Sequence, residues 1–137
     1  MPADILSAAV AVLAVLFIFY TGINVARMRG KHKVDAPATT GPLEFESAVR
    51  VQMNTLEQSV LFFPLLYVAT AYFNTLAWLP AAFGLVWIIG RIVYLQGYMA
   101  APNKRSTGFL ITSLATAGLL ILSVWGLVAS WMATHAS

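Results

Sequence analysis

Arg50, Gln52, Asn54, Glu57 and Gln58 stand in one long apolar segment, and Arg91, Tyr94, Gln96 and Tyr98 stand in the next. Ionisable and amide groups are expensive inside apolar spans, so a site is the default reading of such a cluster. At ~100° per residue, Arg50, Asn54 and Glu57 fall within about 60° of one another on one helical face. Arg91, Tyr94 and Tyr98 do the same on theirs, while Gln52 and Gln96 point elsewhere, towards a neighbouring helix or subunit. Several arginines with one carboxylate suit a small zwitterion carrying more than one carboxylate: each guanidinium grips a carboxylate bidentately and the glutamate takes an ammonium. Asn and Tyr can satisfy amide groups, so a small acidic peptide fits the set better than a lipid phosphate.

The elements that must position these residues follow from composition. Sixty per cent of the 137 residues are apolar and 9% are charged, where ~25% charged is usual for a soluble domain. So few charges cannot cover a soluble chain of this size, which excludes an ordinary globular enzyme and any long disordered segment. At ~1.5 Å per residue a fully helical chain would suffice for at most about six crossings of a ~30 Å hydrocarbon core. With loops, four is the expected count: Ile5 to Ala26, Phe45 to Phe73, Trp78 to Met99 and Gly108 to Ala133. A polar loop is expected over 27–43, a short turn around Asn74 and Thr75, and a loop over Pro102 to Arg105. The fold class is therefore all-α and integral to the membrane: a four-transmembrane-helix bundle formed by residues 1–137 as a single domain.

Six of the eight Lys and Arg residues, at 27, 29, 31, 33, 104 and 105, fall in the two loops on one side. The positive-inside bias makes those loops cytoplasmic and puts both termini outside the cytoplasm. Segment two then enters from the cytoplasmic side, with Glu57 ~10 Å deeper than Arg50, and segment three returns towards it. Glu57 and Arg91 can meet at one level as an ion pair, with Arg50, Asn54, Tyr94 and Tyr98 above and Arg105 over the mouth. The plainer alternative is a structural Glu57–Arg91 pair surrounded by interfacial Tyr and Arg that reach for headgroups. No Cys is present and the two His, His32 and His135, cannot build a structural zinc site alone, so no metal is expected. Nothing resembles a nucleic-acid patch.

The string Thr39-Thr40-Gly41-Pro42-Leu43-Glu44-Phe45-Glu46, followed by Arg50-Val51-Gln52-Met53-Asn54-Thr55-Leu56-Glu57, resembles one signature of the MAPEG superfamily, the membrane-associated proteins of eicosanoid and glutathione metabolism. Arg91-Ile92-Val93-Tyr94-Leu95-Gln96-Gly97-Tyr98 with Lys104-Arg105-Ser106 resembles a second. The resemblance covers nearly the whole chain and implies a homotrimer that binds glutathione between adjacent subunits near the cytoplasmic face. Position by position, it implies that Arg50, Asn54, Glu57, Tyr94 and Tyr98 hold glutathione as in the leukotriene-C synthase branch, with Gln52 a further contact. Arg105 matches the arginine that stabilises the glutathione thiolate, and Arg29, with Arg27 close by, matches a glutathione-contacting arginine at the end of the first helix. Gln58 and Ser59 follow Glu57 where that branch has an aromatic residue, and Pro64 comes later than its proline, which counts against eicosanoid substrates.

The implied activity is that of a microsomal glutathione transferase, with or without peroxidase activity, acting on lipophilic electrophiles from the surrounding lipids. The compact form looks more like bacterial members, which implies the bacterial inner membrane. Two rivals stay open: a non-catalytic lipid- or glutathione-binding scaffold of the same superfamily, and a small transporter that uses Glu57 for ion coupling.

Overall fold

The computed structural model describes residues 1–136, and they form four helices in chain order. These are α1 (Ala3–His32), α2 (Leu43–Tyr72), α3 (Leu79–Ala100) and α4 (Ser106–His135), with a 3₁₀ turn over Pro102–Lys104. Each start has a local cause. Pro2 and Pro42 precede α1 and α2 in extended conformation, and Pro80 sits in the first turn of α3, where its missing N–H costs nothing.

The expected loop over 27–43 is shorter in the structure, because α1 runs six residues past Ala26 to His32. Arg29, Lys31 and His32 occupy its last turn, where cations meet the negative end of the helix dipole. Lys33 then closes the helix in the left-handed region at φ 55°. The connection that remains is tied down at both ends. Arg29 Nη1 donates to the carbonyl of Ala38 at 2.8 Å, and Lys31 Nζ lies 2.6 Å from Glu44 Oε1. Hydrogen bonds from Lys31 and His32 pull the Glu44 carboxyl below its ordinary pKa.

α2 and α3 each pack against all three other helices, and the α3–α4 contact is the most extensive. Its closeness depends on glycine. A Cβ at Gly108 would collide with the backbone of Tyr94, and one at Gly90 would lie 2.7 Å from the backbone nitrogen of Thr112. The main core joins all four helices through Val10, Ala14, Phe62, Leu66, Trp87, Ala115 and Leu119, with the Phe62 and Trp87 rings stacked 4.1 Å apart. A second cluster of Val25, Met28, Phe45, Ala48 and Val49 closes the end where α1 finishes and α2 begins.

The outward faces are as apolar as the core: Leu16, Phe19, Leu114, Ile121, Val124 and Trp125 are all exposed. Such a surface suits a lipid solvent. α1, α3 and α4 are long and apolar enough to cross a membrane. α2 has the length but not the hydropathy, because Glu44, Glu46, Arg50, Asn54 and Glu57 crowd its first half.

Candidate functional site

The basic end of the bundle opens into a cleft of about 690 Å³ between α2, α3 and α4. α2 contributes Arg50 and Asn54, one turn apart; α3 contributes Tyr94 and Tyr98, again one turn apart. Arg105 follows the 3₁₀ turn and stands at the mouth, and α4 adds Ser106, Phe109, Leu110 and Ser113 along one face. The two-face geometry expected from helical spacing is therefore present for Arg50, Asn54, Tyr94 and Tyr98, and Arg105 joins them.

The aromatic and cationic groups form a ladder. The Arg91 guanidinium carbon lies 4.3 Å from the centre of the Tyr94 ring. The Tyr94 and Tyr98 rings meet edge to face at 5.5 Å. The Arg105 guanidinium carbon lies 5.8 Å from the centre of the Tyr98 ring, and its Nη1 donates to the carbonyl of Pro102 at 2.8 Å. The Tyr98 contact is within the range of a cation–π attraction. Together these contacts seat Arg105 over the cleft.

The expected Glu57–Arg91 ion pair does not form. Glu57 is exposed and its Oε1 lies 3.6 Å from Arg50 Nη1, two turns back on the same helix. Arg91 is fully buried and takes neutral partners instead: Asn54 Oδ1 at 2.8 Å, Thr112 Oγ1 at 3.1 Å and Thr55 Oγ1 at 3.5 Å. The depth argument put Glu57 and Arg91 at one level, but helix rotation turns Asn54 towards Arg91 and leaves Glu57 outside. Glu57 is accordingly absent from the cleft wall, whose nine lining residues carry no carboxylate. Glu46 lines a neighbouring hollow of about 360 Å³ that shares Arg50 and Tyr98, and its Oε1 accepts from the Gly41 N–H at 3.1 Å.

Two further expected residues lie apart from the cleft within one chain. Gln52 faces α1, with its Nε2 3.2 Å from where a Cβ at Gly22 would sit. Arg29 clamps the 33–42 connection and stacks on Phe45 at 5.0 Å. Sequence reasoning missed Phe109, Leu110 and Ser113 as lining residues, and Thr55 and Thr112 as the supports of Arg91. The spacing of 106, 109, 110 and 113 marks one helical face, a signal that was available.

The MAPEG family pattern matches residues 7–125. The chain belongs to the MAPEG family. Its MAPEG relatives include an uncharacterized protein of Synechocystis, 40% identical over 88% of this chain and 89% of that protein. The microsomal glutathione S-transferase 2 of Mus musculus is 39% identical over 93% of this chain and 85% of its own. The leukotriene C4 synthase of Cavia porcellus is 38% identical over 93% and 83%. A cyanobacterial MAPEG relative agrees with the bacterial character read from the sequence.

Proposed function

We propose that the protein is a membrane-bound glutathione transferase that activates glutathione as its thiolate for attack on lipophilic electrophiles. The observation that carries this reading is the cleft itself, in which Arg50 and Arg105 face a volume lined by Asn54, Tyr94, Tyr98, Ser106 and Ser113 and by no carboxylate. Such a wall suits a peptide with two carboxylates and two amide carbonyls. The names borne by its relatives, glutathione S-transferase and leukotriene C4 synthase, support the same chemistry.

In this mechanism Arg50 binds a carboxylate, and Asn54 with the tyrosines satisfies peptide oxygens. A free thiol titrates near ~8.5, and an adjacent guanidinium lowers that value. Arg105 supplies this cation, so the thiol gives its proton to water and the sulfur keeps the electron pair. The sulfur then bonds to the electrophilic carbon, and the leaving group departs with the electrons of the broken bond. Phe109 and Leu110, both exposed on α4, form the apolar side of the cleft, open to an electrophile dissolved in the bilayer.

The same proposal makes α2 the fourth crossing, with its polar half at the cytoplasmic interface and both termini outside the cytoplasm of a bacterial inner membrane. The chain works as a single unit in a homotrimer, where Arg29 and Gln52, which lie apart from the cleft in their own chain, reach the cleft of a neighbouring copy. Glu57, exposed beside Arg50 at 3.6 Å, is the carboxylate that this reading assigns to the ligand ammonium.

A second reading, a non-catalytic glutathione- or lipid-binding scaffold, is favoured by one observation: Arg105 Nη1 is engaged by the Pro102 carbonyl. A difference ultraviolet spectrum of the purified protein with glutathione separates the two. A thiolate band at neutral pH is the expected result. Binding without the band would favour the scaffold, and no binding would overturn the transferase and leave only a lipid-binding scaffold.

A further inference from the structure

Among the described residues, Arg91 is the only charged side chain that is fully buried. A buried guanidinium without a carboxylate is costly. All of its hydrogen-bond partners are neutral oxygens, and its Nη2 has no partner at all.

The hydrogen-bond directions at these partners are forced. Arginine has five donors and no acceptor. The atom of Asn54 that meets Arg91 Nη1 at 2.8 Å must therefore be the carbonyl oxygen, and the amide NH2 is left for the other side. Thr112 donates its own hydroxyl proton to the Gly108 carbonyl at 2.9 Å, which leaves its oxygen to accept from Arg91 Nε at 3.1 Å. The guanidinium is thus locked by α4 through Thr112 and by the Tyr94 ring, and in turn it locks Asn54. Asn54 lines the cleft.

We propose that Arg91 is a positioning residue that sets the polarity of the cleft, holding Asn54 so that its amide faces the ligand only as a donor. The site then takes ligand groups that bring acceptor atoms to Asn54, carboxylate or peptide carbonyl oxygens, and disfavours groups that bring an N–H there. This rests on the glutathione reading, in which the ligand supplies those oxygens.

The test uses Asn54→Asp and Asn54→Leu in the full-length protein, with thermal unfolding measured without ligand and glutathione affinity measured at neutral pH. Asn54→Asp gives Arg91 a counter-ion and removes the donor. Its melting temperature should rise by ~2 °C or more, while glutathione binding weakens ~10-fold or more. Asn54→Leu removes the donor without adding charge, so binding should weaken similarly while the melting temperature falls. A stabilised Asn54→Asp protein that binds glutathione within threefold of wild type would overturn the donor role and leave the function standing. A fall in melting temperature for Asn54→Asp would overturn the Arg91–Asn54 contact as the source of the polarity. If wild type fails to bind glutathione while Asn54→Asp is still stabilised, the proposed function falls, and the ligand half of the inference falls with it.

Discussion

At the scale of single residues, the cleft is built by competition for arginine. Arg91 had two candidate acceptors on α2, Glu57 and Asn54, and the structure joins it to Asn54. Glu57 instead lies near Arg50 in an exposed contact at 3.6 Å, a geometry worth at most ~0.2–1 kcal/mol. Double-mutant cycles should report this. Glu57→Gln with Arg91→Gln should be additive within ~0.5 kcal/mol, whereas Glu57→Gln with Arg50→Gln should show a small coupling, measured by unfolding in mixed micelles. The faces carrying Arg50 and Asn54, and Tyr94 and Tyr98, were legible because helical periodicity fixes which side chains share a face. The partner of Arg91 was not. Periodicity places residues on one helix without fixing how two helices rotate against each other. Thr55 and Thr112 were hidden for the same reason, since nothing in their spacing says that a guanidinium lies between them.

At the scale of the elements, the α3–α4 contact determines where the tyrosines stand. Gly108 lets α4 rest directly on the backbone of Tyr94, and Thr112, one turn further on, reaches Arg91. Gly108→Ala should therefore force the helices apart and cost ~1–3 kcal/mol, the range for overpacking a filled interface. Gly30→Ala is the matched control, since a Cβ there meets nothing within 4 Å and alanine is the better helix former by ~1 kcal/mol. Melting temperatures of the two variants, expected to fall for Gly108→Ala and to hold or rise for Gly30→Ala, check this. All four helices were legible from their apolar runs, but the end of α1 was not. Arg27, Arg29 and Lys31 read as loop charges, although cations in a last helical turn are favoured by the dipole. A need for glycine at 108 also cannot be read without knowing which helix it will touch.

At the scale of the whole molecule, an apolar outer surface, basic groups gathered at one end and a cleft open at that same end describe a protein that works at a membrane boundary. If that end is cytoplasmic, a C-terminal reporter active only in the cytoplasm stays silent; full activity would reverse the orientation. The central claim is that the cleft both binds glutathione and ionises it, with the two tasks given to different arginines. Loss of a uniform binding contact raises KM, whereas loss of a group acting on the reacting atom lowers kcat. The most direct measurement is the thiolate absorbance of wild type, Arg50→Ala and Arg105→Ala with glutathione, taken alongside conjugation of a model aryl halide. Arg50→Ala should bind glutathione weakly. Arg105→Ala should still bind but show no thiolate band and conjugate ~10²-fold or more slowly, the range for losing one electrostatic stabiliser, with partial recovery in Arg105→Lys. A wild-type thiolate band and turnover in Arg105→Ala would contradict the account and leave the scaffold as the better description.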